Sequence, residues 1–378
     1  MNFDLSPDQK MIQEMARDFA RSKIKPVAME LDKNHTYPAE IIKAMAELGL
    51  MGMNIPEEYG GAGVDNVAYA LAIIEISKAC SSVAVTTCVN HLVCDCLNLF
   101  GSQQQKEKFL TPLASGETLG SFCLTEPQAG SDAQNQKTSA KKEGNSYRLN
   151  GTKTFITNGT YAGVFIVTAV TSAKDAPKKE ISAFIVEKGV QGLHIGAAEE
   201  KLGQCASNTV EISLEDVIVA EENLIGGENG FKVMMKGLNS GRIGIAALSC
   251  GIAEAALQLA ITYAKEREAF GGTLARIQAI QFKIAQMATQ LESSRLLTLK
   301  AAYLKDRGEP FMQEASMAKL AASEACNKIT YEALQIHGGY GCVKEYEVEK
   351  LFRDARVTTI YEGTSEIQKL VIARQLLR

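Results

Sequence analysis

The segment Tyr361-Glu-Gly-Thr-Ser-Glu-Ile-Gln368 gathers residue types that could do chemistry. Ser365 and Gln368, three apart, predict a capping box and a helix that starts there. The first N–H groups of such a helix lack intrahelical acceptors and would receive an anion such as a pyrophosphate. Glu362 falls outside that helix beside a glycine, where a carboxylate could reach into a cleft and move a proton; the spacing equally suits a solvated loop acid. Phe122-Cys-Leu-Thr-Glu-Pro-Gln-Ala-Gly-Ser-Asp132 and Phe155-Ile-Thr-Asn-Gly159 put hydroxyls and flexible backbone where a strand meets a turn. Each reads as a ligand loop or as an ordinary turn. Gln335-Ile-His-Gly-Gly-Tyr-Gly341 ends a helix in glycines, which admit close backbone approach or simply form a C-cap.

Other chemistries find no residues. There is no GxGxxG or GxxxxGK[ST] phosphate loop, no HExxH and no G-x-S-x-G elbow, and the four His are scattered. Nine Cys, an odd number without a CxxC pair, speak against a disulfide framework or a zinc site, so no metal is expected. Cys88, Cys94 and Cys96 read as buried thiols.

Helices and strands must position these residues. From Ser6 to about Leu113 the pattern is helical: Ser6 and Gln9 form a capping box with Pro7 at the first position, and Met11, Ile12, Met15, Ala16 and Phe19 recur at helical spacing. A Pro- and Gly-rich loop at 55–63 precedes helices at 66–80, 83–100 and 103–113. Between 116 and 225 the period falls to two. Asn150-Gly151 predicts a tight hairpin, and 164–170, 181–186 and 210–214 are runs rich in β-branched residues. Helices return at 230–265, 275–305, 312–337 and 365–377. The expected fold is α+β, with an N-terminal helical domain (1–115), a central β-domain (116–225) and a C-terminal four-helix bundle (226–378).

A length of 378 residues suggests two or three domains, and 46% hydrophobic residues suit packed cores. The net charge of −4 gives no basic face for a nucleic acid. The apolar stretch Ile243 to Ala264 is interrupted by Glu254 and Gln258, and its small residues suit a helix packed on several sides, so no membrane span is expected. The first ten residues lack a leader, and the thiol content suits a reducing cytoplasm.

The order of FCLTEPQAGSD, KTFITNG, KEREAFG, QIHGGYG, RDAR and IYEGTSEIQ resembles the acyl-CoA dehydrogenases over essentially the whole chain. That resemblance implies FAD, with Phe122, Leu124, Thr125 and Ser131 lining the flavin and Phe155 and Thr157 beside its ring. It implies Arg267, Phe270 and Gln278 for the adenine-nucleotide part across a subunit boundary, joined by Gln335, Gly338 and Gly339, with Thr364 and Glu366 closing the site. It makes Glu362 the base that takes an acyl-CoA α-proton while the flavin accepts the β-hydride. Ser131, His91, Asn239, Arg242, Tyr361 and Gly363 become substrate contacts. Some relatives carry the base at the position matching Gly241, where glycine cannot serve. The implied partners are an acyl-CoA, weakly favoured as short or compact, an electron-transfer flavoprotein and three further copies in a homotetramer.

Four positions depart from the family pattern. Phe155 stands for a common Trp, Asn239 for Asp, and Cys205 for an Arg whose ion pair would be missing. His91 and Asp95, four apart on a helix resembling the acyl-pocket wall, read as a satisfied structural pair or as a polar edge that selects a cyclic or functionalised acyl group. A 2-enoyl-CoA reductase fed by the same flavoprotein needs the same residues, so direction stays open. An acyl-CoA oxidase, whose family carries an extra C-terminal domain, and a scaffold that has lost its chemistry are weaker alternatives.

Overall fold

In the computed structural model the chain is described at residues 4–173, 176, 179–227 and 230–377. The N-terminal part is helical: α1 (Pro7–Phe19), α2 (Ala28–Asn34), α3 (Ala39–Glu47), α4 (Asn66–Ala79) and α5 (Ser81–Phe100), then α6 (Gln103–Gln105) and α7 (Thr111–Ala114) joined by a π-helical turn. The predicted Ser6–Gln9 capping box opens α1. Helices α4 and α5 are apolar almost all round because both are enclosed by other helices.

The middle part holds β1 (Leu119–Cys123), β2 (Ser139–Glu143), β3 (Ser146–Thr157), β4 (Ala162–Val170), β5 (Ile181–Glu187), β6 (Leu193–Ala198), β7 (Thr209–Ala220) and β8 (Leu224–Ile225). They form one sheet in the order β6-β7-β3-β2-β4-β5-β8, with β1 parallel to β4. The hairpin expected at Asn150-Gly151 is not there. Glu143 pairs with Ser146 across Gly144-Asn145, and that dipeptide makes the β2–β3 turn, with Gly144 at φ 61°. Asn150-Gly151 lies inside β3 at a break in its register with β7. Asn150 exchanges hydrogen bonds with Asp216 (Nδ2 to Oδ1, 3.0 Å; Asp216 N–H to Oδ1, 2.9 Å), and a β-carbon on Gly151 would strike Thr138. The Asn-Gly signal therefore marks a bulge with a close backbone approach.

The chain then enters α8 (Gly230–Glu266), the two-residue strands β9 (Glu268–Ala269) and β10 (Gly272–Thr273), and α9 (Gln278–Asp306), α10 (Met312–His337), α11 (Glu347–Arg356) and α12 (Ser365–Leu376). At 37 residues α8 is about 55 Å long. It packs against α4, α5, α9, α10 and β5, so it touches both helical parts and the sheet. Helices α5 and α8 are long and apolar enough to cross a membrane by composition, but 83% of the most apolar window of each is buried within the fold. Cys88, Cys94 and Cys96 are buried free thiols, as expected.

Candidate active site

Glu362 sits in the loop between Thr359 and α12. Its backbone is left-handed (φ 51°), as is that of Gly363 (φ 95°). Left-handed backbone costs an L-residue about 1 kcal/mol, so neighbours must hold it. Gln368, buried in the first turns of α12, donates from Nε2 to the carbonyls of Glu362 (3.3 Å) and Gly363 (2.9 Å). Lys319 on α10 donates from Nζ to the same Gly363 carbonyl at 2.8 Å. The capping box predicted from Ser365 does not form: the cap falls one residue earlier, where the third helical residue is Ile367 and cannot reciprocate. Thr364 is the N-cap, accepting from the Ile367 N–H at 3.4 Å, while Ser365 donates to Glu324 at 2.5 Å. Gln368 is thereby freed to bind the loop rather than the cap.

Glu362 as a residue is partly exposed, yet both carboxylate oxygens are shut from solvent and have no hydrogen-bond partner among the described residues. Burial pushes the carboxyl up to about 7, against the pull of Lys319 and Arg242. The same dryness lowers Lys319 to about 8 and Arg242 to about 10, each opposed by Glu362. Arg242 is buried, donates to Asn239 (2.7 Å) and Ser316 (3.2 Å), and leaves Nε without a partner. Tyr361 accepts from Gln204 at 3.2 Å.

Room for the carboxylate comes from α8. Gly237, Gly241 and Gly244 recur at helical spacing on one face. A β-carbon on Gly241 would overlap Glu362 Oε2, one on Gly244 would meet the Tyr69 hydroxyl, and one on Gly237 would meet Cys96 and stand 3.9 Å from the Phe122 ring. The acid, the wall formed by α4 and α5, and the β1 segment thus converge on one side-chain-free strip.

His91 does not pair with Asp95. Its Nδ1 lies 3.0 Å from the Thr87 carbonyl, its Nε2 accepts from the Met53 N–H at 3.0 Å, and burial lowers it to about 4. Asp95 instead pairs with Lys305 at 2.7 Å. Both groups are satisfied, each by its own partner. Cys205 donates to the Lys201 carbonyl (3.4 Å), Arg353 pairs with Asp32 Oδ2 at 2.7 Å, and Asp32 Oδ1 has no hydrogen-bond partner among the described residues.

The sheet contributes a second group. Lys153 is fully buried and donates to the Leu124 carbonyl (3.2 Å), Glu126 (2.8 Å), Gln136 (2.9 Å) and Thr168 (3.2 Å). Burial alone would raise Glu126, but Lys153 overcomes it and brings that carboxyl down to about 2. The Thr154 N–H donates to the Thr125 carbonyl (2.9 Å), and Ser121 to the Thr157 carbonyl (2.8 Å). These bonds fix the 122–126 segment on β3, while the bulge at Lys153–Ile156 turns Phe155 outward, left-handed and 66% exposed. Ser131 lies on the exposed part of the same loop.

The third group lies where α10 ends. Arg267, Gly338 and Gly339 line an open cleft of about 380 Å³ with Tyr263, His337 and Tyr340. Neither glycine has any atom within 4 Å of where a β-carbon would sit, so the backbone is free for a ligand. The Arg267 guanidinium stands 5.7 Å from the Tyr340 ring. Gln278, Gln335, Glu366 and the 97%-exposed Phe270 lie on the outer surface. A guanidinium, an open glycine cradle and outward-turned aromatics fit a dinucleotide with a planar ring system. Lys319 and Lys153 escaped the sequence reading, and Gln368 was read as a capping residue rather than as the tie to the Glu362 loop. For Lys319 the signal is a lone Lys among small residues, Ala315, Ser316, Ala318 and Ala322.

Models for the N-terminal, middle and C-terminal domains of acyl-CoA dehydrogenase match residues 6–117, 121–217 and 228–377. The chain is 48% identical over 377 residues to the mitochondrial short-chain specific acyl-CoA dehydrogenase of Bos taurus, spanning 99% of this chain and 91% of that one. It is 46% identical over 381 residues to the acryloyl-CoA reductase (NADH) of Anaerotignum propionicum, across 100% and 96% of the two chains. The fold superposes on butyryl-CoA dehydrogenase from Megasphaera elsdenii with a TM-score of 0.97 at 44% identity, covering 100% of both chains.

Proposed function

The chain belongs to the acyl-CoA dehydrogenase family, and on that premise we propose that it desaturates a short, compact acyl-CoA between Cα and Cβ, with Glu362 as the base. The carrying observation is the Glu362 carboxylate: enclosed, without a partner on either oxygen, and near 7 in proton affinity. FAD is the cofactor of this enzyme family and, when bound, accepts the hydride from Cβ. The 122–126 segment with Ser131, Phe155 and Thr157 would hold its ring end. Arg267, Gly338 and Gly339, joined by Gln335, would hold the nucleotide end; Thr364 and Glu366 would close the site from α12, and Phe270 and Gln278 would reach it from a neighbouring copy.

A thioester α-proton is weakly acidic, and an ordinary Glu is a feeble base for it. At about 7 the Glu362 carboxyl binds a proton far more avidly while still half ionised at neutral pH. Its carboxylate takes the α-proton on an oxygen that no other group occupies. The Glu362 backbone N–H has no acceptor among the described residues and would donate to the thioester carbonyl as negative charge develops there. Tyr361, Gly363, Asn239 and Arg242 frame that oxygen's surroundings. The acyl chain would run along the Gly237–Gly244 strip against α5, whose His91 belongs to the supporting structure behind the wall.

The same residues run the reaction backwards. A protonated Glu362 returns its proton to Cα, and the 46% identity to an acryloyl-CoA reductase favours keeping this second reading. Electron-transfer flavoprotein is the electron partner in either direction, the assembly is a homotetramer, and nine free thiols suit the cytoplasm.

Anaerobic titration of the yellow protein with linear C4–C8, cyclic and arylpropionyl-CoA thioesters tests the proposal. Bleaching of the flavin band by one short or compact thioester, abolished in Glu362→Gln with flavin retained, is expected. Bleaching by none, with enoyl-CoA reoxidising chemically reduced flavin, selects the reductase direction. A protein that cannot be loaded with FAD would overturn the reading.

A further inference from the structure

We propose that Lys319 is the positioning residue of the proton-transfer site: from α10 its ammonium anchors the Gly363 carbonyl and supplies the counter-charge under which Glu362 ionises. This rests on Glu362 being the base.

Lys319 is fully buried, a position lysine rarely takes without a carboxylate partner. Yet among the described residues its hydrogen bond is to a backbone carbonyl, that of Gly363 at 2.8 Å, and it forms no ion pair within 4.0 Å. Glu362 lies outside that reach and is nevertheless the chief group opposing the loss of the Lys319 proton. The offset has a chemical consequence. A direct salt bridge would hold the carboxylate ionised and occupy a lone pair, making it a poor base. A cation one residue away stabilises the ionised form through the field while both oxygens stay open to substrate.

The mechanical part is equally local. Two consecutive left-handed residues, Glu362 and Gly363, hang between Tyr361 and the α12 N-cap. Gln368 ties them from below through α12, and Lys319 ties the Gly363 carbonyl from α10. Removing either leaves the loop held by one helix only.

The other groups around the base are accounted for. Arg242, from α8, is near 10 and stays charged through neutral pH. Tyr69 from α4, Cys88 and Cys96 from α5 and Tyr361 in the loop are pushed up by burial and stay neutral. Glu324 on α10 and Glu366 on α12 add to the field that holds the Lys319 proton. Lys319 is therefore the cation near Glu362 whose charge changes closest to working pH.

The test compares Lys319→Arg (donor and charge kept), Lys319→Gln (donor kept, charge removed) and Lys319→Met (both removed) in the flavin-loaded enzyme. Two readouts are taken: the acid limb of kcat/KM against pH, and the carboxyl C=O infrared band of Glu362, identified by its loss in Glu362→Gln and titrated without substrate. Gln and Met should move both titrations up by about one pH unit or more. Met should also lower kcat about tenfold beyond Gln through the loosened loop, and Arg should stay within a few tenths of a unit of wild type. An infrared titration unmoved in Gln and Met overturns the proposal. So does failure of both neutral variants to retain flavin while Arg retains it, which would make Lys319 a folding residue. A wild type that no thioester reduces sinks the dehydrogenase reading instead, and the infrared arm still decides the role of Lys319.

Discussion

Glu362 shows how one carboxyl ties stability to pH. It holds its proton to about 7 in the folded chain, against an ordinary 4.5. The folded state therefore gains from the protonated form, and that gain is lost as pH climbs from 4.5 through 7, by about 3 kcal/mol in all. His91 slopes the other way: burial holds it neutral down to about 4, so stability falls as pH drops below 6.5. The difference between wild type and Glu362→Gln isolates the first slope. The thermal midpoints of the two should coincide near pH 4.5, and the Gln variant should be the more stable at pH 8. His91→Ala should cost about 2 kcal/mol by stranding the Met53 N–H, yet leave the ranking of acyl-CoA substrates unchanged. A changed ranking, measured as kcat/KM across the thioester panel, would restore His91 to the pocket. Glu362 was singled out in sequence by its place beside a glycine and before a helix, but that spacing equally suited a solvated loop acid, and its role as base came from the family resemblance. Lys319 was not singled out, since a lysine in a long helix ordinarily faces water.

Among the elements, α8 and β3 decide the geometry. A methyl on Gly241 would overlap the Glu362 carboxylate, so Gly241→Ala should lower kcat by about a hundredfold with flavin spectrum and melting nearly unchanged, the base being displaced rather than lost. On β3, Lys153→Met removes one partner of a buried pair and leaves Glu126 uncompensated. It should cost about 3–5 kcal/mol in thermal or denaturant unfolding, with FAD escaping before global unfolding because the 122–126 segment loosens first. The long helices could be read from the length and apolar content of their segments, although α4 and α5 are buried almost all round rather than on one face. Strands β2 and β6 could not, because Ser139–Glu143 and Leu193–Ala198 are mostly exposed and lack apolar alternation. Asn150-Gly151 misled because the same dipeptide that suits a turn also suits a bulge where a neighbour lies too close for a side chain.

For the whole molecule, the outer surface carries what the site still needs. Phe270 is 97% exposed on left-handed backbone, and Phe282 and Leu377 are also uncovered. In the proposed tetramer these side chains are covered, and Phe270 reaches a neighbouring copy's nucleotide. Phe270→Ala should then weaken FAD retention by about tenfold or more while far-UV ellipticity stays unchanged, as read by ultrafiltration and flavin fluorescence. Retention equal to wild type would separate the cofactor from the subunit boundary.

The overlap between Gly241 and Glu362 couples two sites that lie 121 residues apart in number. Any side chain at 241 begins with a carbon in the volume that the carboxylate fills, so an acid placed there would displace the one on the loop rather than join it. Glycine at one position and glutamate at the other are thus two parts of one fitting, and a change at either is felt at both.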